Sequence, residues 1–233
     1  MIKMTAQPPK IIIFDAGALI SFTMAGLLDE LKKLKKIFNG KFIITQKVKE
    51  EVVDNPINVN RFELDALRIK ELLDEKVLEV SDAINIDNEQ VSFDARKILE
   101  IANNTFFYRK KGIGIIQSGE ASCLALSKIL NEKKIQNVIA IDERTTRMLG
   151  EGPENLRKLL QKKLHTLISS KKENYKFFQE FKFIRSAELV YVAYKKKLVN
   201  LKNGNVLNAL LYAVKFKGCA ISDEEIFEIE KMR

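Results

Sequence analysis

Four consecutive large apolar residues, Ile11-Ile12-Ile13-Phe14, run directly into an aspartate, Asp15. A strand with one face in water alternates apolar and polar side chains. A run with no polar member is covered on both faces, as strands are inside a parallel sheet flanked by helices. The run therefore predicts an interior strand of an α/β layer, and Asp15 stands where that strand stops. Phe42-Ile43-Ile44 predicts a second strand and Val77-Leu78-Glu79-Val80 a third. Asn137 to Ile141 predicts another, ended by Asp142.

Helical spacing fills the intervals. Leu27, Leu28, Leu31, Leu34 and Phe38 recur three or four apart, which predicts a helix over 21–38 that stops at Asn39-Gly40. Further helices are expected from Gln46 to near Asn55-Pro56, over 61–75, over 88–108, and from Ser118 as N-cap through Glu132. Another begins around Thr145, and Pro153 restarts one at its first turn. Strands alternating with helices predict an α/β domain over residues 1–170 with a mostly parallel central sheet. From about 172 onward the apolar residues keep to helical spacing, as in Ala187, Leu189, Val190, Ala193 and Leu198, then Val206, Leu207, Leu210, Leu211 and Val214. Residues 171–233 are thus expected to form a helical C-terminal extension.

Composition sets the partner classes. The chain has 233 residues, 46% hydrophobic and 30% charged, enough apolar material for a proper core and not the profile of a disordered chain. The formal net charge of +9 fits a polyanionic partner, and composition alone fits a solvated lysine-rich surface with no partner equally well. Cys123 and Cys219 sit among apolar or small neighbours and read as buried small hydrophobes, with no disulfide or zinc-site spacing. Met1 to Lys10 carries no apolar signal region, and no apolar run approaches the ~18 residues of a membrane helix. A cytoplasmic protein without a membrane partner is expected.

The acids carry the chemistry. Ligands of open α/β sheets sit beyond the carboxyl ends of the strands, where Asp15 and Asp142 fall. Gathered anions cost energy unless a cation neutralises them, and magnesium and manganese prefer oxygen ligands. In the helix after Thr45, Val48 and Val52 mark the buried stripe. Glu51 lies about 60° from Val48 and Glu50 about 160° away, so Glu51 is the acid aimed at the sheet. Glu120 lies in the first turn of its helix, close to the apolar face carrying Ala121, Ala125 and Ile129. There an anion also compensates the helix dipole. Asp142 taken alone reads equally as a helix-capping aspartate.

Four segments, in this order, resemble the PIN-domain nuclease family. Ile12-Ile13-Phe14-Asp15-Ala16-Gly17-Ala18-Leu19-Ile20 is similar to the family's opening strand. Thr45-Gln46-Lys47-Val48-Lys49-Glu50-Glu51-Val52 is similar to its second strand end and acidic helix. Ser118-Gly119-Glu120-Ala121-Ser122 resembles the Gly-Glu-Ala helix start. Ile139-Ala140-Ile141-Asp142-Glu143, with Arg147, resembles the late strand and its aspartate. The resemblance covers about residues 10 to 168. It implies a PIN-like three-layer α/β/α fold in which Asp15, Glu51, Glu120 and Asp142 take the four acidic positions. It also implies a magnesium- or manganese-dependent nuclease, most often a ribonuclease, with RNA as partner and DNA as the other candidate. Ala16 and Gly17 stand where many relatives carry Ser, Thr or Asn, so a hydroxyl or amide that orients the site is missing. The helical extension lies outside the minimal family fold.

A metal-centred mechanism suits what else the chain offers. The single histidine, His165, has no acidic neighbour in sequence, and Gly112-Ile113-Gly114 is too short to be a phosphate loop. Arg109-Lys110-Lys111, beside Phe106-Phe107-Tyr108, together with Arg144 and Arg147, are the candidates for nucleic-acid contact. A dehalogenase-like phosphatase needs a second aspartate where Gly17 stands. A receiver domain needs an acidic pair where Ala16 follows Asp15. The stronger alternative is a PIN-like RNA-binding or assembly module without activity, its extension packing on the core, covering the site or forming a homodimer interface.

Overall fold

The computed structural model describes residues 10–202 and 204–232. The reading of the N-terminal segment as free of a signal region falls mostly on residues 1–9, outside the described residues. Among the described residues the strands are β1 (Ile11–Phe14), β2 (Lys41–Ile44), β3 (Glu79–Val80), β4 (Phe106–Tyr108), β5 (Lys111–Gly112), β6 (Asn137–Ala140), β7 (Ser169–Ser170) and β8 (Phe183–Ile184). The longer helices are α1 (Ala16–Met24), α2 (Leu28–Ile37), α3 (Gln46–Lys49), α4 (Glu63–Asp74), α5 (Asn88–Asn103), α6 (Ser118–Glu132), α7 (Arg144–Glu151) and α8 (Pro153–Leu164). They continue with α9 (Tyr175–Phe178), α10 (Ser186–Lys195), α11 (Val206–Lys215) and α12 (Asp223–Lys231).

The architecture is α/β. A five-stranded sheet of order β3-β2-β1-β6-β8 is parallel throughout and flanked by helices, an arrangement compatible with three α/β/α layers. All four residues of β1 are buried, as their apolar run requires. Ile11 registers with Lys41 on one side and Asn137 on the other. The chain moves outward from β1 through β2 to β3, then returns to pair β6 on β1's opposite edge. That reversal makes the carboxyl end of β1 a topological switch point, where open parallel sheets form their crevices. Asp15 is the first residue past β1 at that end of the sheet.

Three elements differ from expectation. The helix expected over 21–38 is two helices, because the chain turns at Gly26, whose φ of +71° suits glycine. The helix expected over 88–108 ends at Asn103, and Phe106–Tyr108 leave it as β4. The cause is not local. Asn103 Oδ1 accepts the N–H groups of Ile115 and Ile116, and its amide donates to Ile116 O, which pins the return strand against the helix end. The third difference lies in the expected helical extension. It supplies β8, which pairs with β6 at the sheet edge, before α10, α11 and α12 follow.

The extension is welded to the α/β unit. Leu189, Val190, Leu207, Leu210, Leu211 and Val214 belong to the same buried cluster as the sheet. Lys33 Nζ donates to Leu198 O at 2.7 Å. Among the described residues no helix is long and apolar enough to cross a membrane.

Candidate functional site: an acidic crevice at the carboxyl end of the sheet

Asp15 follows β1 in extended backbone and caps α1, its Oδ2 accepting the Gly17 N–H at 3.0 Å. Its side chain is buried, and it forms no ion pair among the described residues. Burial above all, then the charge of Glu120 and to a lesser degree that of Glu51, push the Asp15 carboxyl up to about 7.

Glu51 is brought in by an unusual turn. Thr45 caps α3 through the Val48 N–H, and its Oγ1 lies 2.7 Å from Ser122 Oγ, which ties α3 to α6. Past Lys49 the helix widens, with Asn55 N–H reaching Glu50 O five residues back. Such π-type turns are rare and recur at functional sites. Glu51 faces α6, accepting from Ser118 Oγ at 3.4 Å, while Glu50 faces outward and pairs with Lys47 at 3.2 Å. Burial raises the Glu51 carboxyl, and Lys47 and Ser118 partly offset that.

Glu120 is in the first turn of α6, whose N-cap is Gln117 rather than Ser118. Its Oε2 accepts the Gln117 N–H at 2.6 Å. Burial is the largest influence raising its carboxyl, and Glu143 and Glu51 add to it. The charges of Asp15, Glu120 and Glu51 also act together on the buried Cys123 thiol, which burial first and these acids next hold well above its usual range. The Cys123 Sγ lies 3.8 Å from Phe14 O.

Asp142 is placed differently. It is buried, and each carboxylate oxygen has a partner: Oδ1 accepts the Ser186 N–H and Oδ2 the Ser186 hydroxyl, both at 2.8 Å. Asp142 thus holds the first turn of α10. Its neighbour Glu143 is the acid of this segment that acts on Glu120, while capping α7 through the Thr146 N–H at 2.7 Å. The fold brings Asp15, Glu51 and Glu120 into one electrostatic cluster with Glu143 beside it, and leaves Asp142 tethering the extension. Sequence reasoning passed over Glu143. The signal was its place one residue beyond a buried strand end, at a helix N-cap.

As the side chains lie, no group of three or more acidic, His or Cys side chains among the described residues is gathered closely enough to hold a metal ion. Glu120 is turned back to its own helix start and Glu51 lies over Gly119. The donors nonetheless suit a hard divalent cation in kind: three carboxylates whose mutual repulsion and burial disfavour ionisation. The close packing of Glu51 on Gly119 can be tested. A Cβ at position 119 would stand 3.1 Å from Glu51 Cδ and nearer still to Oε2. Gly119→Ala is therefore expected to push the Glu51 carboxylate aside. The helix should stay intact, since alanine favours it by up to ~1 kcal/mol over glycine. Manganese-induced stabilisation should fall at least severalfold in a thermal-shift titration. An unchanged titration would separate Glu51 from any cation site.

The flanks are basic. A cleft of about 180 Å³ beside Ser118 is lined by Lys47, Ser92, Arg96 and Leu99. Arg96 escaped the sequence reading because it looks like one more solvated residue on α5. β4 and β5 form a hairpin whose two-residue turn is Arg109-Lys110, with β7 on the outer side of β4. Both turn residues have positive φ, +46° and +66°, the pattern that normally selects Asn-Gly. The guanidinium of Arg109 lies over the exposed Tyr108 ring, and Lys171 lies over Phe107. Phe106 is core, so only Tyr108 of the aromatic trio stands ready for stacking. Replacing Arg109-Lys110 by Asn-Gly is expected to stabilise the fold by about 1 kcal/mol. It should also weaken RNA binding severalfold, measured by melting and by fluorescence anisotropy. A variant that binds RNA as well as the parent would confine the hairpin to a structural role.

Arg144 opens α7 and Arg147 lies one turn further on. Arg147 donates to Ala220 O at 3.1 Å and so helps hold the extension. Comparisons with family models, with curated proteins and with solved structures found no match.

Proposed function

We propose that the chain is a divalent-metal-dependent nuclease of the PIN type that hydrolyses phosphodiester bonds of RNA. The observation that carries this reading is Asp15 at the switch point, its carboxyl raised to about 7 by burial first and by the charges of Glu120 and Glu51 next, with no ion pair to it among the described residues. A protein gains nothing in stability from such an arrangement, and functional sites are where it recurs.

In this reading Asp15, Glu51 and Glu120 would hold the cation, and Glu143 adds negative charge beside Glu120. Magnesium or manganese, when bound, neutralises charge on the scissile phosphate and lowers the pKa of water. The chain's own groups do the rest. Asp15 would hold the cation as a carboxylate, so its raised proton affinity sets the pH above which it can do so. The Gly17 N–H fixes the Asp15 carboxylate, and Ser118 orients Glu51. Lys47 and Arg96 line the neighbouring cleft, where a strand's phosphates would be steered.

The test is cleavage of single-stranded RNA and DNA with manganese, with magnesium and with chelator, using Asp15→Asn as control. Cleavage by the parent, lost with chelator and lost in the variant, is the expected result. Equal cleavage by parent and variant would sink the reading. A chain that binds RNA with no metal-dependent cleavage would be the inactive PIN-like binding module instead.

A further inference from the structure

A cavity of about 500 Å³ opens where the α/β unit meets the extension. One wall is the first two turns of α7, with Arg144, Arg147 and Met148. The other is the turn Ala220-Ile221-Ser222 leading into α12, with Glu225. The two arginines do not neutralise one another's surroundings. Arg144 forms no ion pair among the described residues. Arg147 is mostly covered, and its closest acid, Glu151, stands at 3.9 Å and is half exposed. Its Nη2 donates to Ala220 O, while its Nε is buried with no hydrogen-bond partner. A buried donor left unpaired costs about 1–3 kcal/mol, so the site lacks an acceptor.

The single acid in the wall is already spent. Glu225 Oε2 accepts the Ser222 N–H at 2.9 Å, and its Oε1 accepts from Arg185 at 2.8 Å. The cavity therefore keeps a surplus of positive charge in the form of guanidinium, whose planar fork suits phosphate oxygens. Its location adds to this. Glu143, the residue before Arg144, acts electrostatically on Glu120, so α7 begins at the acidic crevice and leads directly to the cavity.

We propose that this cavity binds a phosphate group of a nucleic-acid strand, which makes the C-terminal extension one wall of the substrate groove. The identity of the strand rests on the nuclease reading; the phosphate site itself does not. Binding is measured with chelator present, so that cleavage is silent. Labelled single-stranded RNA, with a 5′-phosphate or a 5′-hydroxyl, is titrated with the full chain by fluorescence anisotropy across a salt series. Arg147→Lys keeps the charge but loses the fork, and Arg144→Gln removes a charge that no acid needs. Lys70→Gln, at an exposed position of α4 outside every proposed contact, serves as the control for a general loss of charge.

Arg147→Lys is expected to weaken binding about tenfold and Arg144→Gln about fivefold; the melting temperature of Arg144→Gln stays unchanged, and that of Arg147→Lys falls by a few degrees at most through the lost bond to Ala220 O. For Arg144→Gln the dependence of log affinity on log salt should fall by about one. If both arginine variants weaken only the 5′-phosphorylated strand, the cavity takes a terminal monoester; if they weaken both strands, it takes an internal diester. Either outcome supports the site. Arginine variants that bind both strands as the parent does, or that lose no more affinity than Lys70→Gln, overturn it. A chain that never cleaves RNA with manganese, yet shows the arginine effects, loses the nuclease reading and keeps the phosphate site.

Discussion

Asp15→Asn is expected to make the metal-free protein more stable at pH 8 and to abolish metal-dependent cleavage. The two effects have one origin. The carboxyl of Asp15 is pushed from 3.8 to about 7 by burial and by Glu120 and Glu51. Its folded value lies above its unfolded value, so the folded state binds the proton more tightly. Below pH ~4 the group is neutral in both states and costs nothing. As pH rises toward 7 the unfolded chain gains the benefit of ionisation and the folded chain does not, so stability falls and levels off above 7. At 1.36 kcal/mol per pH unit the full cost is on the order of 4 kcal/mol, an upper figure for a site that can relax. An amide removes that cost and still accepts the Gly17 N–H. For a chain of this size the gain corresponds to a rise in melting temperature of about 5–10 °C in chelator at pH 8, shrinking toward zero at pH 4. Manganese should stabilise the parent and not the variant. A variant that melts at or below the parent at pH 8 would mean that Asp15 is not under electrostatic stress.

Asp142→Ala should act in the opposite direction. Both Asp142 oxygens accept from Ser186, and the backbone of Asp142 accepts the Ala220 N–H, so the residue joins β6 to α10 and to the start of α12. Truncation leaves a buried N–H and a buried hydroxyl without their acceptor. The expected loss is about 2–4 kcal/mol, or roughly 5–10 °C in melting temperature. Ser186→Ala removes the hydroxyl's bonds to Asp142 and to Ala18 O but keeps the backbone N–H bond to Asp142, and should cost about 1 kcal/mol. Manganese stabilisation of Asp142→Ala, measured relative to its own lower baseline, should persist. If instead the variant melts like the parent and no longer responds to manganese, Asp142 is a cation ligand and its bonds to Ser186 are incidental. The contrast between the two aspartates matters because each ends an interior strand, and sequence alone gave them the same standing.

The acids divide according to how far the information about them reaches along the chain. The strand Ile11–Phe14 and the abrupt polar stop at Asp15 were legible, because burial on both faces writes itself as an unbroken apolar run. The facing of Glu51 away from Glu50 was legible from the valines beside it, although the backbone there is wider than an α-helix and only the folded chain shows that. Glu143 and Asp142 could not be sorted. Their roles depend on Ser186, forty-four residues away in sequence, and on Glu120, which approaches from another helix.

The amino-acid sequence by itself determined the mostly parallel sheet, its strands β1, β2, β3 and β6 with helices between them, and the placing of Asp15 and Asp142 just beyond the ends of β1 and β6. Those features follow from side-chain periodicity, which is local. Only the tertiary structure decided that α5 stops at Asn103, that Phe183–Ile184 close the sheet edge, and that Arg144 and Arg147 face a cavity shared with the extension. Each of these rests on hydrogen bonds and packing between residues far apart in the chain. No local pattern encodes such partners, because the free energy that selects them exists only once both segments are in place.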